Sequence, residues 1–600
     1  MTPIRLRWLS AIALGLLCWL AFFQGLGALG LMDKTEALFV EVGHQMYLRG
    51  DWVTPWWNGE RFFDYPVWGY WMVALSFRLF GVSEWAARLP VALAASAVVV
   101  ATFLLLLSWP GPAEAPGRRH GRALLGAAVL ATTPGWIGWG RTSTTDMFLA
   151  SAITLALFGF LLAHRHPHHG RLAALGRVAM ALFSAIAVLA KGPVGLLLPV
   201  LVIVVFLSLS GGWRRWLRTV PLLAMLSLFL GVCLPWYAAA ARANGMAFVA
   251  GFLGFSNLQR FTSVIYDHPG PPWFYLPWLL LLLLPWSLYL PAAIGALRFW
   301  RRDRWRQPGP RPGSAPPAVD GEAQSISQLP LLLLLWLVLM VAFFSAAATK
   351  LPGYILPALP AGSLLVALWW RPLAASGPDP PRSLTPGPAT SWPLPASGWI
   401  NAVVLALLSA AAVLASRWAA ADPAHPGFAA ALDRSGLPLR LALLLGLAAL
   451  AMVLLLIRPE RRRWLWLPDL AGFLAVLALV VAPLAPLLDR ERQLPLRQLA
   501  RQARSAAQPD EPLWVVGAKR YSLLFYGGET AAFLSGRGRI EERWRRDPAD
   551  LGITSTSRSV RLVGDRSDLE DLELPVGAVL RLARRGEQEL WRVPLEALQP

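Results

Sequence analysis

Long apolar runs separated by short polar segments recur along most of the chain, up to about residue 490. One helical crossing of a bilayer needs about 20 consecutive apolar residues. Runs of that length predict thirteen transmembrane helices, so the fold class is expected to be mainly α and polytopic. The predicted spans lie at about residues 8–30, 88–108, 122–139, 146–163, 174–190, 194–211, 219–240, 273–296, 329–346, 354–370, 399–417, 438–457 and 467–488.

Two longer polar regions interrupt this pattern and predict two domains, 1–488 and 489–600. Residues 31–87 form a long loop whose semi-apolar stretch, Val67 to Phe80, is rich in Trp and Tyr and is typical of a segment at the membrane interface. Residues 489–600 are polar and are expected to form a small α/β domain. Its β-like runs are Leu513–Gly517, Ser522–Gly528, Val560–Gly564 and a hairpin from Val579 to Pro594.

The composition excludes two broad classes of protein. Hydrophobic residues make up 56% of the 600 residues and charged residues 15%, with a mean hydropathy of +0.49. Soluble domains carry about 25% charged residues, so the chain is neither a soluble globule nor disordered. The two cysteines, Cys18 and Cys233, lie inside apolar runs and predict neither a disulfide framework nor a cysteine metal site.

A formal charge of +20 first suggests nucleic acid, but the distribution of the basic residues favours a membrane explanation. Arginines concentrate in every second loop, as at residues 118–122, 214–218, 298–311 and 458–463. The positive-inside bias then places the N-terminus in the cytoplasm, and the 31–87 loop and the tail outside the membrane. No nucleic-acid partner is expected. Of the four lysines, Lys34, Lys191 and Lys350 fall in outer loops, against this bias.

The predicted outer ends of the spans carry a cluster of polar residues. Placing such residues at a membrane boundary costs free energy. Charged residues there need a partner or a function, and their shared side predicts one site at the outer surface. The cluster comprises Asp33, Lys34, Glu36, Asp64, Arg141, Asp146, Lys191, Asn257, Arg260, Asp267, His268 and Lys350.

The order of these residues resembles the GT-C polytopic glycosyltransferases, in the branch of the bacterial aminoarabinose (lipid A) transferase and the protein O-mannosyltransferases. The resemblance covers residues 1 to about 370. It rests on Asp33–Glu36 with Glu41 and Met46, Gly50-Asp51-Trp52, Asn58-Gly59, Phe63-Asp64-Tyr65-Pro66, Leu79-Phe80-Gly81-Val82, Ala87-Arg88-Leu89-Pro90, Arg141 with Thr145-Asp146, Lys191-Gly192-Pro193, Pro235-Trp236-Tyr237, Asn257 with Arg260-Phe261, Pro285-Trp286 and Thr349-Lys350-Leu351-Pro352.

The resemblance implies transfer of a sugar from a polyprenyl-phosphate carrier to a lipid, glycan or protein acceptor, at the outer face of a bacterial inner membrane. Such a reaction needs a carboxylate to activate or orient the acceptor and cations to neutralise the leaving phosphate. The implied catalytic residues are Asp33, Glu36 and Asp146. The implied residues for phosphate and donor binding are Asp64, Tyr65, Arg141, Lys191, Arg260, Lys350 and Tyr354.

This sequence departs from the family pattern at two points. The usual adjacent Asp-Glu pair is replaced, because Thr35 precedes Glu36, and the choice between Asp33 and Glu36 stays open. Tyr65 stands where the family has a lysine, which removes one phosphate cation. A divalent metal ion near Asp64 and His268 is the one cofactor that the residues suggest.

Each of these residues also has a simpler, purely structural interpretation. Acidic residues favour the first turn of a helix, as Asp146 and Glu36 would, and lysines at span ends extend toward the interface. Two other functions also remain open. A transporter or flippase of lipid-linked sugars predicts charges near the bilayer centre and repeat symmetry, neither of which the sequence shows. A non-catalytic scaffold would use the tail to bind a partner.

Overall fold

Helices account for most of the chain in the computed structural model, which describes residues 3–109, 114–167, 170–252, 268–300, 320–370, 393–421, 426–575 and 577–599. The longer helices are Pro3–Cys18, Thr35–Arg49, Trp68–Phe80, Glu84–Ser108, Pro116–Ala131, Pro134–Gly140, Thr145–Arg165, Gly170–Lys191, Val194–Ser210, Trp213–Thr219, Leu222–Val249, Tyr275–Leu282, Leu290–Leu297, Asp320–Ala346, Leu359–Trp369, Pro393–Val413, Pro426–Ser435, Leu437–Ile457, Trp466–Val476, Ala482–Leu488, Leu494–Ser505 and Arg537–Arg546.

Ten helical segments in the described part of the chain are long and apolar enough to cross a membrane. A pair bent by 110°, Tyr275–Leu282 with Trp286–Leu297, makes an eleventh if it counts as one span. The polytopic, mainly α fold is therefore confirmed. The other two predicted spans fall on shorter helices, Val194–Ser210 with 17 residues and Pro116–Ala131 with 16. The predicted span at 122–139 is divided because Pro134 starts a new helix after Thr132 and Thr133.

Two of the predicted spans form a close antiparallel hairpin, Thr145–Arg165 and Gly170–Lys191. At their crossing a Cβ atom on Gly159 would lie 2.6 Å from the Gly176 carbonyl oxygen, so only glycine allows this approach. The hairpin brings the first turn of one helix beside the last turn of the other. The predicted turn at Lys191-Gly192-Pro193 is confirmed, with Gly192 at a φ of +88°.

The 31–87 loop is mostly ordered into helices and a small hairpin. Thr35–Arg49 ends at Gly50 in the left-handed conformation, and Trp68–Phe80 packs against it. Between them β1 (Trp56–Trp57) pairs antiparallel with β2 (Glu60–Arg61). These elements lie between the first two spans and cover one end of the helical bundle.

The tail contains a five-stranded mixed sheet, in the order β4-β3-β5-β7-β6. β3 is parallel to β4 and β5, whereas β7 is antiparallel to β5 and β6. The strands are β3 (Leu513–Val516), β4 (Ala531–Leu534), β5 (Ser559–Asp565), β6 (Leu580–Arg585) and β7 (Gln588–Pro594). We call residues 513–599 the sheet unit.

The predicted β-like run at Ser522–Gly528 is wrong, because Ser522–Gly527 is a short helix. A short apolar run does not by itself distinguish a buried strand from a buried helix. Leu523 and Leu524 of this helix pack with Leu496 and Leu499 of the Leu494–Ser505 helix on one face of the sheet. The last span continues into that helix as one segment, Trp466–Ser505, so the predicted boundary at residue 488 falls inside a helical segment.

Candidate active site

An ion pair between Asp146 and Lys191 lies where the helical hairpin ends. Asp146 stands in the first turn of its helix and Lys191 at the end of the other, so the hairpin itself brings them together. Their side chains are 19% and 11% exposed, which leaves the pair accessible at one side. This contact joins one predicted catalytic residue to one predicted phosphate-binding residue.

Two tyrosine rings flank the Lys191 ammonium. The Nζ atom lies 4.6 Å from the ring centre of Tyr354 and 5.7 Å from that of Tyr65. Tyr354 approaches closely because Gly353 precedes it, and a Cβ atom on that glycine would lie 3.0 Å from Asp146 Oδ2. The cation is thus fixed by one carboxylate and two aromatic faces. A lysine ammonium has three donors, so Asp146 leaves donors that can bind a phosphate.

Glu36 has a different environment from Asp146. Arg88 donates two hydrogen bonds of 2.7 Å to its carboxylate, and the backbone amides of Met32 and Ser143 donate two more. Burial raises the pKa of Glu36, but the charge and hydrogen bonds of Arg88, together with the two backbone amides, outweigh burial and hold the pKa below its usual range. Both carboxylate oxygens are therefore engaged in contacts that hold the fold.

Asp33, the other candidate carboxylate of the first loop, is held by the sheet unit. Ser522 donates its backbone N–H to Oδ1 at 2.7 Å and its hydroxyl to Oδ2 at 2.8 Å. Burial raises the pKa of Asp33, while the Ser522 bonds and the nearby Arg520 charge oppose that rise. Asp33 remains partly exposed and retains acceptor positions for a further proton donor.

Tyr521 connects Asp33 with the lysine site. Burial raises the pKa of its hydroxyl, and the charges of Asp33 and Asp64 raise it further, so both carboxylates lie near this ring. Asp64 directly precedes Tyr65, whose ring faces Lys191. Asp33, Asp64, Asp146 and Lys191 thus belong to one polar region that begins in the first loop and ends at the helical hairpin.

Further contacts fasten the first loop to the tail. The Asn58 side chain exchanges two hydrogen bonds of 2.9 Å with the backbone of Ala531 in the edge strand β4. The amides of Gly30 and Leu31 donate to Asp489 at 2.7 Å and to the Tyr526 hydroxyl at 2.8 Å. Because Asn58 pairs with an edge strand, the loop also covers an exposed sheet edge.

The remaining predicted cations have other contacts. Arg141 donates to the carbonyls of Ala21 and Gln24, at the end of the first span. Lys350, which is 6% exposed, directs its ammonium to the Ala347 carbonyl and its amide to the His268 carbonyl. Arg260 lies outside the described residues. Among the predicted cations in the described part of the chain, Lys191 is therefore the one that contacts a predicted carboxylate, Asp146.

No group of three or more His, Cys, Asp or Glu side chains that could hold a metal ion occurs in the described ranges. Asp64 and His268 together would supply two ligands at most. A divalent metal ion near Asp64 and His268 stays a prediction.

An apolar groove of about 370 Å³ lies between helices near the start of the chain. It runs between the interfacial helix Trp68–Phe80 and three spans, and its lining includes Trp68, Met72, Leu93, Phe148, Leu155 and Ile186. Trp68 follows Tyr65 by three residues, and Phe148 follows Asp146 by two. The groove is thus lined in part by the two helices that carry Asp146 and Lys191, through Phe148 and Ile186.

Three residues of this region received no role from the sequence. Arg88 lies in an apolar run at the start of a span, and a charge in that position indicates a buried partner. This signal was available in the sequence. Tyr521 and Ser522 carried none, because their importance depends on a contact with Asp33 from almost 500 residues away.

Comparisons with known proteins identify the family of the chain. A family model described as dolichyl-phosphate-mannose-protein mannosyltransferase matches residues 64–238. The undecaprenyl phosphate-alpha-4-amino-4-deoxy-L-arabinose arabinosyl transferase of Aeromonas salmonicida is 31% identical over 458 residues, which cover 76% of this chain and 74% of the relative. The chain belongs to this arabinosyl transferase family. The GT-C resemblance of the sequence is thereby confirmed.

Other members of the aminoarabinose transferase family align over a shorter length. The enzyme of the same name from Pseudomonas aeruginosa strain UCBPP-PA14 is 32% identical over 336 residues. That alignment covers 55% of this chain, and the chain spans about half the length of the relative, 54%.

A crystal structure shows that the fold extends over nearly the whole chain. The structure of ArnT from Cupriavidus metallidurans bound to undecaprenyl phosphate matches with a TM-score of 0.72 and 22% sequence identity. The match covers 97% of each chain. The sheet unit and the late spans, where the resemblance from sequence was weak, therefore share the fold of that protein.

Proposed function

We propose that the chain is an integral-membrane glycosyltransferase that moves a sugar from a polyprenyl-phosphate carrier to an acceptor. The observation that carries this proposal is the position of Lys191, a cation fixed by Asp146 and two tyrosine rings on a helical hairpin that also lines an apolar groove. The relatives are named as arabinosyl transferases of undecaprenyl phosphate-linked aminoarabinose. A pentose on such a carrier is therefore the first donor to test.

The donor phosphate binds at Lys191 in this proposal. Its negative charge grows as the sugar leaves, and a fixed ammonium in a partly buried site stabilises that charge more than a mobile one would. Asp146 keeps the ammonium in place, while Tyr354 and Tyr65 limit its movement. Arg260 stays a predicted second cation for the phosphate.

The carrier chain occupies the apolar groove. Polyprenyl chains are apolar and slender enough to lie between helices, and the groove presents almost only apolar atoms. In this proposal the phosphate lies at Lys191 and the chain runs from there along the two helices of the hairpin that line the groove. A soluble nucleotide donor has no apolar chain that could fill such a groove.

Asp33 activates the acceptor. A carboxylate that accepts the proton of an acceptor hydroxyl or phosphate lets that oxygen attack C1 of the sugar while the C1–O bond to the carrier phosphate breaks. The proton passes to Asp33, and the electron pair leaves with the phosphate toward Lys191. Glu36 is unsuited to this step because Arg88 and two backbone amides engage its oxygens.

The proposed location is a bacterial inner membrane, with the N-terminus in the cytoplasm and the active site outside. The arginine distribution supports this orientation. The acceptor is a lipid A-type glycolipid, a glycan or a protein that reaches the outer face of the membrane.

The test uses purified protein in vesicles with undecaprenyl phosphate carrying radiolabelled 4-amino-4-deoxy-L-arabinose. Extracted envelope glycolipid, glycan and protein are offered as acceptors in separate reactions. The proposal predicts label on one acceptor class together with release of undecaprenyl phosphate. Movement of intact donor across the vesicle membrane without transfer would instead identify a flippase. If the protein neither transfers the sugar nor moves the donor, the non-catalytic scaffold is the function that remains.

A further inference from the structure

The contact between Asp33 and Ser522 fixes both the position and the rotation of the carboxylate. One residue supplies two donors, and each donor binds a different oxygen of Asp33. Ser522 is completely buried, with a relative exposure of 0%. Its hydroxyl is therefore directed at Asp33 and not at solvent.

The segment that carries Ser522 is itself firmly held. Arg520 binds both oxygens of Asp565 at 2.7 Å, which fixes the loop after β3 to the end of β5. The Tyr521 ring packs edge-on against Trp57 and Phe533, with ring centres 5.1 Å apart in both pairs. The hydroxyl of Ser522 is thus presented from a rigid support.

We propose that Ser522 is a positioning residue for Asp33, so that the sheet unit completes the active site of the membrane domain. This inference rests on the proposed function, because it takes Asp33 as the carboxylate that accepts the acceptor proton. It gives the tail a role in the reaction. Without the tail, Asp33 would have neither a fixed orientation nor its two donors.

Loss of the Ser522 hydroxyl changes the protonation of Asp33 in a known direction. A hydrogen bond to the charged form of a carboxyl lowers its pKa, so removal of one bond raises it. The other charged or titratable groups that face Asp33 are Arg520 and Tyr521, and Asp64 lies on the far side of Tyr521. A base must be ionised, so a higher pKa moves the acid limb of the activity profile to higher pH.

The experiment compares three variants of the full-length protein across pH. Ser522→Ala removes the hydroxyl and keeps the backbone donor, and we expect kcat/KM to fall about tenfold with the acid limb at higher pH. Ser522→Thr keeps a hydroxyl and should restore the position of the limb. Asn58→Gly is the matched control, because it loses both bonds to Ala531 and leaves Asp33 untouched. Glycine also tolerates the φ of +51° at that position.

A second measurement does not depend on transfer. Only the protonated form of Asp33 reacts with a carbodiimide, and peptide mass spectrometry gives the pH midpoint of that labelling. We expect the midpoint to rise in Ser522→Ala and to stay in place in Asn58→Gly. An unchanged midpoint and acid limb in Ser522→Ala, or equal shifts in the control, would overturn the inference. If the wild-type protein transfers no sugar, the proposed function fails, and the labelling still decides whether Ser522 controls Asp33.

Discussion

Arg88 binds the Glu36 carboxylate through two hydrogen bonds of 2.7 Å, and both side chains are almost completely buried. Arg88 also donates to the carbonyls of Leu26, Leu29 and Gly30, beyond the end of the first span. One ion pair therefore joins the first loop to the start of the Glu84–Ser108 span. We therefore propose that this pair supports the site and takes no part in its chemistry.

Glu36→Gln is expected to destabilise the protein, because it leaves the buried Arg88 charge without a carboxylate. Loss of one partner of a buried ion pair costs about 3–5 kcal/mol. The melting temperature in detergent should fall well below that of the wild type, while Glu60→Gln, at an exposed position of β2, should leave it unchanged. A variant that keeps the wild-type melting temperature and loses transfer would instead make Glu36 the catalytic carboxylate.

Lys191→Met is expected to lower kcat/KM for the donor by at least about 100-fold, since loss of one fixed charge that stabilises a developing anion has effects of that size. Lys519→Met at an exposed position of the tail is the matched control and should leave transfer unchanged. Binding of undecaprenyl phosphate and of uncharged undecaprenol is measured for both proteins. The account predicts weaker binding of the phosphate alone in Lys191→Met, and equal affinity for it in wild type and variant would contradict the assignment.

Asp146→Asn acts through the same lysine, so its effect should not add to that of Lys191→Met. Residues in direct contact show interaction energies in double-mutant cycles. We expect the double variant to have the same kcat/KM as Lys191→Met. Additive losses would show that Asp146 has a separate role in the reaction.

Ala97→Phe tests the groove as the site of the carrier chain. Ala97 lines the groove, and a phenylalanine there would fill part of its volume. We expect KM for an undecaprenyl donor to rise about tenfold, equal to about 1.4 kcal/mol. A donor with two isoprene units should be unaffected. Val100→Phe on the same helix, outside the groove lining, is the control, and an equal effect of both variants on KM would exclude this site.

The sequence predicted the spans well because a bilayer sets a minimum apolar length for each one. It also placed Asp146 and Lys191 at one end, because a tight turn makes neighbouring spans antiparallel. The division of the 122–139 span at Pro134 was not predicted, because the break is confined to a few residues. The contact of Asp33 with Ser522 was beyond reach, since it depends on how a separate sheet packs against the first loop. The ion pair between Glu36 and Arg88 likewise appears only when the fold brings both residues together.

The proposed orientation predicts which single cysteines react from outside the cell. Cys18 and Cys233 are buried and leave a low background. A membrane-impermeant maleimide should label Lys519→Cys in intact spheroplasts and Arg215→Cys only after lysis, because the proposed orientation places these exposed positions on opposite sides of the membrane. The reverse pattern of labelling would contradict the cytoplasmic N-terminus.

Single-turnover transfer by Asp33→Asn tests whether Asp33 is the base that activates the acceptor. The variant and the wild-type protein are mixed with radiolabelled undecaprenyl phosphate-linked 4-amino-4-deoxy-L-arabinose and the acceptor that the wild type uses, and donor binding and melting temperature are measured alongside. The account predicts unchanged binding and melting temperature with a transfer rate lower by at least about 100-fold, because a general base contributes 10²–10⁴-fold. A transfer rate equal to that of the wild type would contradict it.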